Sequence, residues 1–422
     1  MSLEIIDKKV FETFCNTVNY KSFMQSVEMA NLLEKRGYQV TFLGLKEADE
    51  LQVAGVLYSI PVAGGLHMEI NSGPASRNQS YLKNFYQSLQ SYAKENGAIE
   101  LLVKPFDTYQ HFDTNGEPTD DERINLIEDF TSLGYQHDGL MTGYPGGEPD
   151  WHYVKDLTDL DEKSLLKSFS KKGRPLVKKA KTFGITLRRL DRSELPLFKE
   201  ITSATSNRRD YVDKSLDYYQ DFYDCFGDAC EFMVASLNFQ DYLKHLESDQ
   251  AKLEKRIEKL RTAIENNNAS EKKQNQLREL SSQSATFDTR ITEAKTFIEK
   301  YGSQNVILAG SLFVYTKQEA VYLFSGSYPE FNKFYAPALL QEYVMLEAIK
   351  RGITTYNLLG ITGEFDGSDG VLRFKQNYNG YITRKMGTFR YYPHPLKYKL
   401  IHNLKNYLDV TNKRLGNKSK SF

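Results

Sequence analysis

The sequence predicts a mixed α/β (α+β) protein with two similar halves and an antiparallel coiled-coil helical hairpin inserted into the second half. Two observations support this fold class. β-Branched and aromatic segments alternate with stretches of helical periodicity in the same order twice along the chain. Between residues 241 and 301, Lys, Glu, Gln and Asn dominate, Gly and Pro almost disappear, and apolar residues recur at heptad spacing. A chain of 422 residues is long enough for two or three domains.

Composition narrows the functional classes. Basic and acidic residues balance at 55 each, so any attraction to nucleic acid or membrane must come from local patches. Cys15, Cys225 and Cys230 lack metal-ligand spacing and the seven histidines form no cluster, so we expect no metal. No apolar run approaches the roughly 18 residues of a membrane span, and the N-terminus lacks a signal-peptide core. These features predict a soluble cytoplasmic protein.

Residues 1–150 are predicted to form the first domain. Gly37 ends a helix, and an order of strand, strand, helix, strand follows it. The predicted elements are a helix at Val27–Arg36, strands at Tyr38–Leu45 and Val53–Val62, a helix at Tyr81–Asn96 and a strand at Ile99–Val103. Glycines and prolines cluster between Gly143 and Pro149, which places the domain boundary near Asp150.

Residues 151–240 together with 302–395 are predicted to form the second domain. A β-hairpin begins at Val306, the helix APALLQEYVMLEAIKRG follows, and Thr354–Ile361 returns as a buried strand. This order is that of the second half of an acetyltransferase-type (GNAT-like) fold, although any α/β sheet with a crossover helix fits the pattern equally well. The R/Q-x-x-G-x-G/A turn that binds coenzyme A pyrophosphate is missing, so we expect a different activated acyl donor and no cofactor.

Residues 241–301 are predicted to form the coiled-coil arm. Leu246, Leu253, Ile257, Leu260 and Ile264 make one heptad seam, and a second seam follows the turn-like Asn266–Ser270. Because the arm has its own apolar seam, we expect it to contribute little to the stability of the remainder. Its role remains open between a spacer or dimer contact and the handling of tRNA.

Two segments are strongly basic. The first has six cations within eleven positions and no acid among them, which fits either phosphate binding or a solvated helix face. These cations are Lys171, Lys172, Arg174, Lys178, Lys179 and Lys181. The second segment is the tail, residues 396–422, in which Leu396, Leu400, Leu404 and Leu408 repeat every four residues. It is predicted to be a helix that braces the C-terminus or makes peripheral contact with anionic lipid.

Several of these segments together resemble the Fem family of peptidoglycan aminoacyltransferases. The resemblance covers nearly the whole chain and is carried by the order of its segments. They are FMQSV at 23–27, NSGPA at 71–75, SFSKKGRPLVKKAKTFGI at 168–185, the inserted arm, YLFSGSYPEFNKFYAPALLQEYVMLEAIKRG at 322–352 and GVLRFKQNYNG at 370–380.

The resemblance implies two GNAT-like halves with a hairpin arm. It also implies transfer of an amino acid from aminoacyl-tRNA, the co-substrate, to the stem-peptide amine of a peptidoglycan precursor such as lipid II at the inner membrane face. We expect alanine, serine or glycine to be transferred, because small residues build most bridges. Two alternatives remain: an aminoacyl-tRNA–protein transferase, and a non-catalytic coiled-coil scaffold with a degenerate acyltransferase core.

The resemblance also implies site residues. Phe374 and Lys375 match the family's Phe-Lys pair at the catalytic centre, and Arg208 matches an arginine associated with the precursor's phosphates. Tyr218 lies in the aromatic stretch that follows. The chain departs from the family at two expected substrate-binding positions: Lys35 is out of register with the family's lysine, and Lys104 replaces an aspartate before proline.

Overall fold

A computed structural model describes residues 1–266 and 270–404. Strands and helices are numbered along the chain. The strands are β1 (Ser2–Ile5), β2 (Gln39–Glu47), β3 (Glu50–Val62), β4 (Gly65–Asn71), β5 (Ala75–Ser76), β6 (Ala98–Lys104), β7 (Thr108–Phe112), β8 (Gln136–His137), β9 (Trp151–Asp156), β10 (Thr186–Arg189), β11 (Cys230–Asn238), β12 (Asn305–Tyr315), β13 (Ala320–Ser327), β14 (Thr355–Ile361), β15 (Tyr381–Lys385) and β16 (Phe389–Tyr391). The helices are α1 (Lys8–Cys15), α2 (Val27–Lys35), α3 (Leu82–Glu95), α4 (Ile124–Ser132), α5 (Glu162–Ser168), α6 (Gly173–Lys181), α7 (Leu195–Arg209), α8 (Leu216–Phe226), α9 (Phe239–Glu265), α10 (Glu271–Tyr301), α11 (Ala336–Lys350), α12 (Gly370–Lys375) and α13 (residues 395–404).

The described strands form two eight-stranded mixed sheets. The first sheet has the order β1-β2-β3-β4-β6-β16-β8, with β5 paired to β3. The second has the order β10-β11-β12-β13-β14-β9-β15-β7. In each sheet one neighbouring pair is parallel, β4 with β6 and β13 with β14, and a helix connects the two strands of that pair: α3 in the first sheet and α11 in the second. The repeated order that the sequence shows is therefore present in both sheets.

Two strands exchange between the halves. β7 comes from the N-terminal part of the chain but pairs with β15 in the second sheet. β16 comes from the C-terminal part but lies between β6 and β8 in the first sheet. The sheets therefore cross the domain boundary predicted near Asp150, because strand pairing depends on tertiary neighbours and not on position along the chain.

The inserted arm consists of α9 and α10, which pack along each other. Leu253, Ile257 and Leu280 form a separate buried cluster at the far part of the arm. Nearer the second sheet, Tyr242 and Ala294 belong to the main core. The expectation that the whole arm contributes little to stability is therefore wrong at its base, because Tyr242 and Ala294 also complete the core.

The basic tail begins in α13, and residues beyond 404, including Leu408, lie outside the described part. Leu396, Leu400 and Leu404 are exposed, with 79%, 66% and 62% of their surface accessible. Ile401 points to the turn between β3 and β4, because a side chain at Gly64 would collide with it. Within residues 1–266 and 270–404, no helix is long and apolar enough to cross a membrane.

Candidate active site

A short helix, α12, carries Lys375 into the protein interior. Its N-cap is Asp369, which accepts hydrogen bonds from the backbone N–H groups of Val371 and Leu372. The other carboxylate oxygen of Asp369 accepts from the backbone N–H and the hydroxyl of Thr362, at 3.0 Å each. The Gly-rich loop between Thr362 and α12 is thereby fixed at both ends, and so is the direction of the helix.

Lys375 is only 3% exposed, which is unusual for a lysine. Its Nζ donates hydrogen bonds to the backbone carbonyls of Leu359, at 3.0 Å, and Gly360, at 2.5 Å. Burial lowers the Lys375 pKa to about 7, and the negative charge of Asp369 only partly opposes this shift. An ammonium group has three donors. Among the described residues two hydrogen-bond acceptors are present, so in the charged form one N–H has no partner there.

The two carbonyls that bind Lys375 lie where β14 breaks its register. Between Asn357 and Gly360, two residues of β14 face one residue of β9, which defines a β-bulge. Leu359 has φ +56°, a left-handed conformation that costs a bulky residue on the order of 1–3 kcal/mol. Gly360 lies so close to Pro149 that a side chain at this position would collide with the proline ring. The bulge turns two successive carbonyls towards one lysine.

Phe374, the other member of the predicted catalytic pair, is half-buried beside Lys375. Its ring makes an edge contact with Tyr378 at a centroid distance of 5.5 Å. Such a ring could support a flat ester or nucleobase by stacking.

The six predicted phosphate-binding cations all lie on or next to α6, and all are exposed. Four of them lie with Pro175 and Thr182 on one open, shallow face of α6, the basic groove. These four are Lys171, Arg174, Lys178 and Lys179. Of the remaining two, Lys172 is the N-cap residue and Lys181 forms an ion pair of 2.7 Å with Glu342.

The start of α6 is packed against the segment that carries Lys375. Gly173 lies so close to the Asn377 carbonyl that no side chain fits there. The same carbonyl accepts a hydrogen bond from the Ser170 N–H at 3.1 Å. The basic groove and the buried lysine are therefore parts of one local structure, although the residues are about 200 positions apart in sequence.

Arg208 and Tyr218 lie on neighbouring helices, α7 and α8. Arg208 is exposed and donates to the Ser327 carbonyl at 3.1 Å. Burial raises the Tyr218 pKa to about 12, and Arg36 lies 5.7 Å from the centre of its ring. Lys35, also at the end of α2, forms ion pairs with Asp224 at 3.4 Å and with Asp221 on α8. Lys35 thus joins the two halves, and its charge is already compensated.

Lys104 lies on a different surface, at the end of β6. Its Nζ contacts Glu148 at 2.7 Å and Glu69 at 3.4 Å. Burial lowers its pKa, but the two carboxylates outweigh burial and the net pKa is raised. Lys104 is therefore a stably charged group whose charge is satisfied by the protein, unlike Lys375.

A family model described as the FemAB family matches residues 6–406 of this sequence. The chain belongs to the FemAB family. Aminoacyltransferase FemA of Staphylococcus aureus, from strains RF122 / ET3-1 and N315, is 28% identical over 398 residues, which cover 92% of this chain and 94% of FemA. The crystal structure of FemX has a TM-score of 0.75 and 21% identity, covering 95% of this chain and 100% of that one.

Membership of the FemAB family confirms the predicted family, and the similarity to FemX confirms the predicted fold class. The protein is an aminoacyltransferase, as the sequence predicted, so the alternative of a non-catalytic scaffold is wrong. The roles of individual residues in this FemAB protein stay predictions.

Sequence reasoning missed several buried polar groups. Lys155 and Lys385 are also buried, at 2% and 9% exposure. They were missed because a search for runs of charge overlooks single lysines in strands. Asn357 was missed too, although a polar residue inside the apolar run TTYNLLGI, shortly before a glycine, is a recognisable signal for a bulge.

Proposed function

We propose that this protein transfers an amino acid from aminoacyl-tRNA to the stem-peptide amine of a peptidoglycan precursor such as lipid II, and so builds the interpeptide bridge. The observation that carries the proposal is Lys375, a buried lysine held by two carbonyls in an aminoacyltransferase fold. Its remaining donor and its rigid position suit an anion that forms during acyl transfer.

The reaction needs little chemistry from the protein. The precursor's amine attacks the ester carbonyl of the aminoacyl-tRNA, forming a C–N bond and a tetrahedral oxyanion. The intermediate collapses by breaking the C–O bond to the tRNA ribose, and the amine proton leaves with that oxygen. Because the ester is already activated, alignment and stabilisation of the oxyanion supply most of the rate. Lys375 would donate to the oxyanion or to the terminal tRNA phosphate, and Phe374 would support the reacting group.

The basic groove on α6 would hold the tRNA or a precursor phosphate. It is exposed, has four cations and adjoins the Lys375 segment. Phosphate binding by such a groove adds affinity without sequence specificity. Arg208 and Tyr218 would contact the precursor, and the arm formed by α9 and α10 would contact the tRNA.

The acceptor is lipid-linked in this proposal, and α13 offers a membrane contact. Leu396, Leu400 and Leu404 are exposed along one side of the helix, and Lys397 and Lys399 are exposed beside them. Apolar residues combined with cations suit the surface of an anionic bilayer. We propose peripheral contact with the inner membrane face through this helix.

One experiment tests the transferred group and the acceptor together. The protein is incubated with a mixture of tRNAs charged with labelled amino acids and with lipid II, and the products are separated by mass. We expect a lipid product that carries one added small residue, alanine, serine or glycine. A labelled protein product with unchanged lipid II would instead establish the aminoacyl-tRNA–protein transferase alternative.

A further inference from the structure

The side chain of Asn357 holds the bulge that binds Lys375. Its Oδ1 accepts a hydrogen bond of 2.9 Å from the backbone N–H of Leu359, the residue with the left-handed conformation. Its Nδ2 donates to Glu319 Oε2 at 3.0 Å. Asn357 and Glu319 are both 4% exposed, so water cannot replace these partners at low cost.

Glu319 in turn is fixed from the other half of the protein. Its second oxygen, Oε1, accepts from the backbone N–H of Phe23 at 3.2 Å. Each oxygen of the buried carboxylate thus has one donor: the N-terminal segment on one side and the Asn357 amide on the other. The amide can satisfy Glu319 and Leu359 in one orientation only, with nitrogen towards Glu319 and oxygen towards Leu359. In that orientation its nitrogen also lies 3.5 Å from His152 Nδ1.

We propose that Asn357 is a positioning residue for Lys375, and that Glu319 fixes Asn357. The geometry points to this role because the bulge which Asn357 closes is the one that presents the carbonyls of Leu359 and Gly360 to Nζ. Without the hydrogen bond from its N–H to Oδ1, the strained Leu359 relaxes towards ordinary strand geometry and its carbonyl turns away. The catalytic consequence rests on the proposed function of Lys375, whereas the geometric consequence does not.

The geometric step can be measured without substrate. Acetic anhydride acetylates neutral, accessible lysines, and mass spectrometry gives the rate at Lys375. In Asn357→Ala we expect Lys375 to be acetylated at least fivefold faster than in the wild type at pH 8, because its two carbonyl partners are no longer held. Tyr356→Phe, in the same strand as Asn357, is the matched control: it removes the hydroxyl that donates a buried 2.6 Å hydrogen bond to Gln341 on α11 but leaves the bulge intact. In Tyr356→Phe, Lys375 should be acetylated at the wild-type rate.

A reciprocal exchange separates positioning from general damage. Asn357→Asp keeps the acceptor for the Leu359 N–H but places a second carboxylate against Glu319, so Lys375 should again be released. Combining it with Glu319→Gln restores the hydrogen bond with donor and acceptor exchanged, since the new amide can donate to the new carboxylate. The double variant should return the acetylation rate to within twofold of the wild type.

Transfer from charged tRNA to lipid II then tests the catalytic step. Asn357→Ala should lower kcat by about 10–100-fold with little change in KM, because the binding surfaces are untouched. In a Lys375→Met background the same substitution should cause no further loss.

Acetylation of Lys375 within twofold of the wild type in Asn357→Ala, or an equal loss of kcat in both backgrounds, would overturn the proposal. Should Lys375→Met itself retain its activity, the proposed role of Lys375 fails, and the acetylation rates still decide whether Asn357 positions it.

Discussion

Lys375 and the six cations of α6 are nearly the same chemical group in opposite surroundings. The α6 cations are exposed, and four of them line the basic groove. Lys375 is enclosed, its hydrogen bonds go to two carbonyls, and burial lowers its pKa to about 7. The two sites adjoin through Gly173 and Asn377. A lysine in water attracts phosphates from a distance, whereas an enclosed lysine interacts strongly with one atom at one place.

This difference predicts that the α6 cations contribute to substrate binding and Lys375 to catalysis. The free energy of an exposed contact is reduced by salt and shared among several cations, so no single one dominates. A buried charge interacts strongly with a single partner, and its burial lowers the stability of the folded protein. The first site should therefore affect KM and the second kcat.

The largest effect is expected at the enclosed site. Lys375→Met keeps most of the side-chain volume and should lower transfer to lipid II by about 10²–10³-fold, as loss of one preorganised oxyanion donor does. Arginine should rescue only partly, because its planar fork cannot occupy the place of an ammonium group. Lys155→Met is the control, since it removes another buried lysine whose pKa burial lowers to about 8. Single-turnover rates within threefold of the wild type in Lys375→Met would remove this residue from the site.

The same substitution should alter stability in the opposite direction to activity. Lys375 has a pKa of about 7 in the folded protein and an ordinary pKa of 10.5 when unfolded. Between these values the unfolded chain binds more protons, so this group makes the wild type more stable as pH rises. Lys375→Met should therefore raise the Tm most at pH 7 and below, and the advantage should shrink towards pH 10. A difference in Tm that does not change with pH would contradict the lowered pKa.

The exposed site should show a smaller, salt-dependent effect. Replacing Lys171, Lys178 and Lys179 by Gln should raise KM for charged tRNA and leave kcat nearly unchanged. The slope of log KM against log salt should decrease by about 2, because fewer counterions are released. Replacing three exposed lysines of the first half, Lys9, Lys83 and Lys94, controls for net charge. An unchanged slope in the α6 variant would identify the groove as an ordinary solvated surface.

Shortening the arm formed by α9 and α10 is expected to have the smallest effect on stability. Gln250 donates to Asp288 at 2.6 Å, so these residues mark the same level on the two helices. A Gly/Ser linker in place of residues 251–287 removes the distal cluster but keeps Tyr242 and Ala294 in the core. We expect a nearly unchanged Tm and a raised KM for charged tRNA. Normal turnover in this variant would make the arm a spacer or a dimer contact. Removal of all of 241–301 should destabilise the protein.

Local sequence patterns predicted the secondary-structure elements that short-range spacing of apolar residues determines. The heptad seam of the arm and the helices α2, α3 and α11 were found because apolar residues repeat along one face. The exchange of β7 and β16 between the two sheets was not predicted, since the residues of a short strand do not specify which strand it pairs with. The Phe374–Lys375 pair was placed by resemblance, and its enclosure depends on a bulge about 15 residues earlier in the sequence. Burial of a single lysine is a tertiary property, so composition cannot reveal it.

The strand exchange has a consequence for synthesis on the ribosome. Among the described strands, β8 pairs only with β16, and β16 also covers the edge of β6. The first sheet therefore cannot be completed until translation has passed Tyr391, roughly 10–50 s after β8 at about 5–20 residues per second. During that interval the open edge of β6 can pair with other nascent chains. A fragment that ends near Asp150 keeps this edge open permanently, so we expect it to aggregate while the full chain remains soluble.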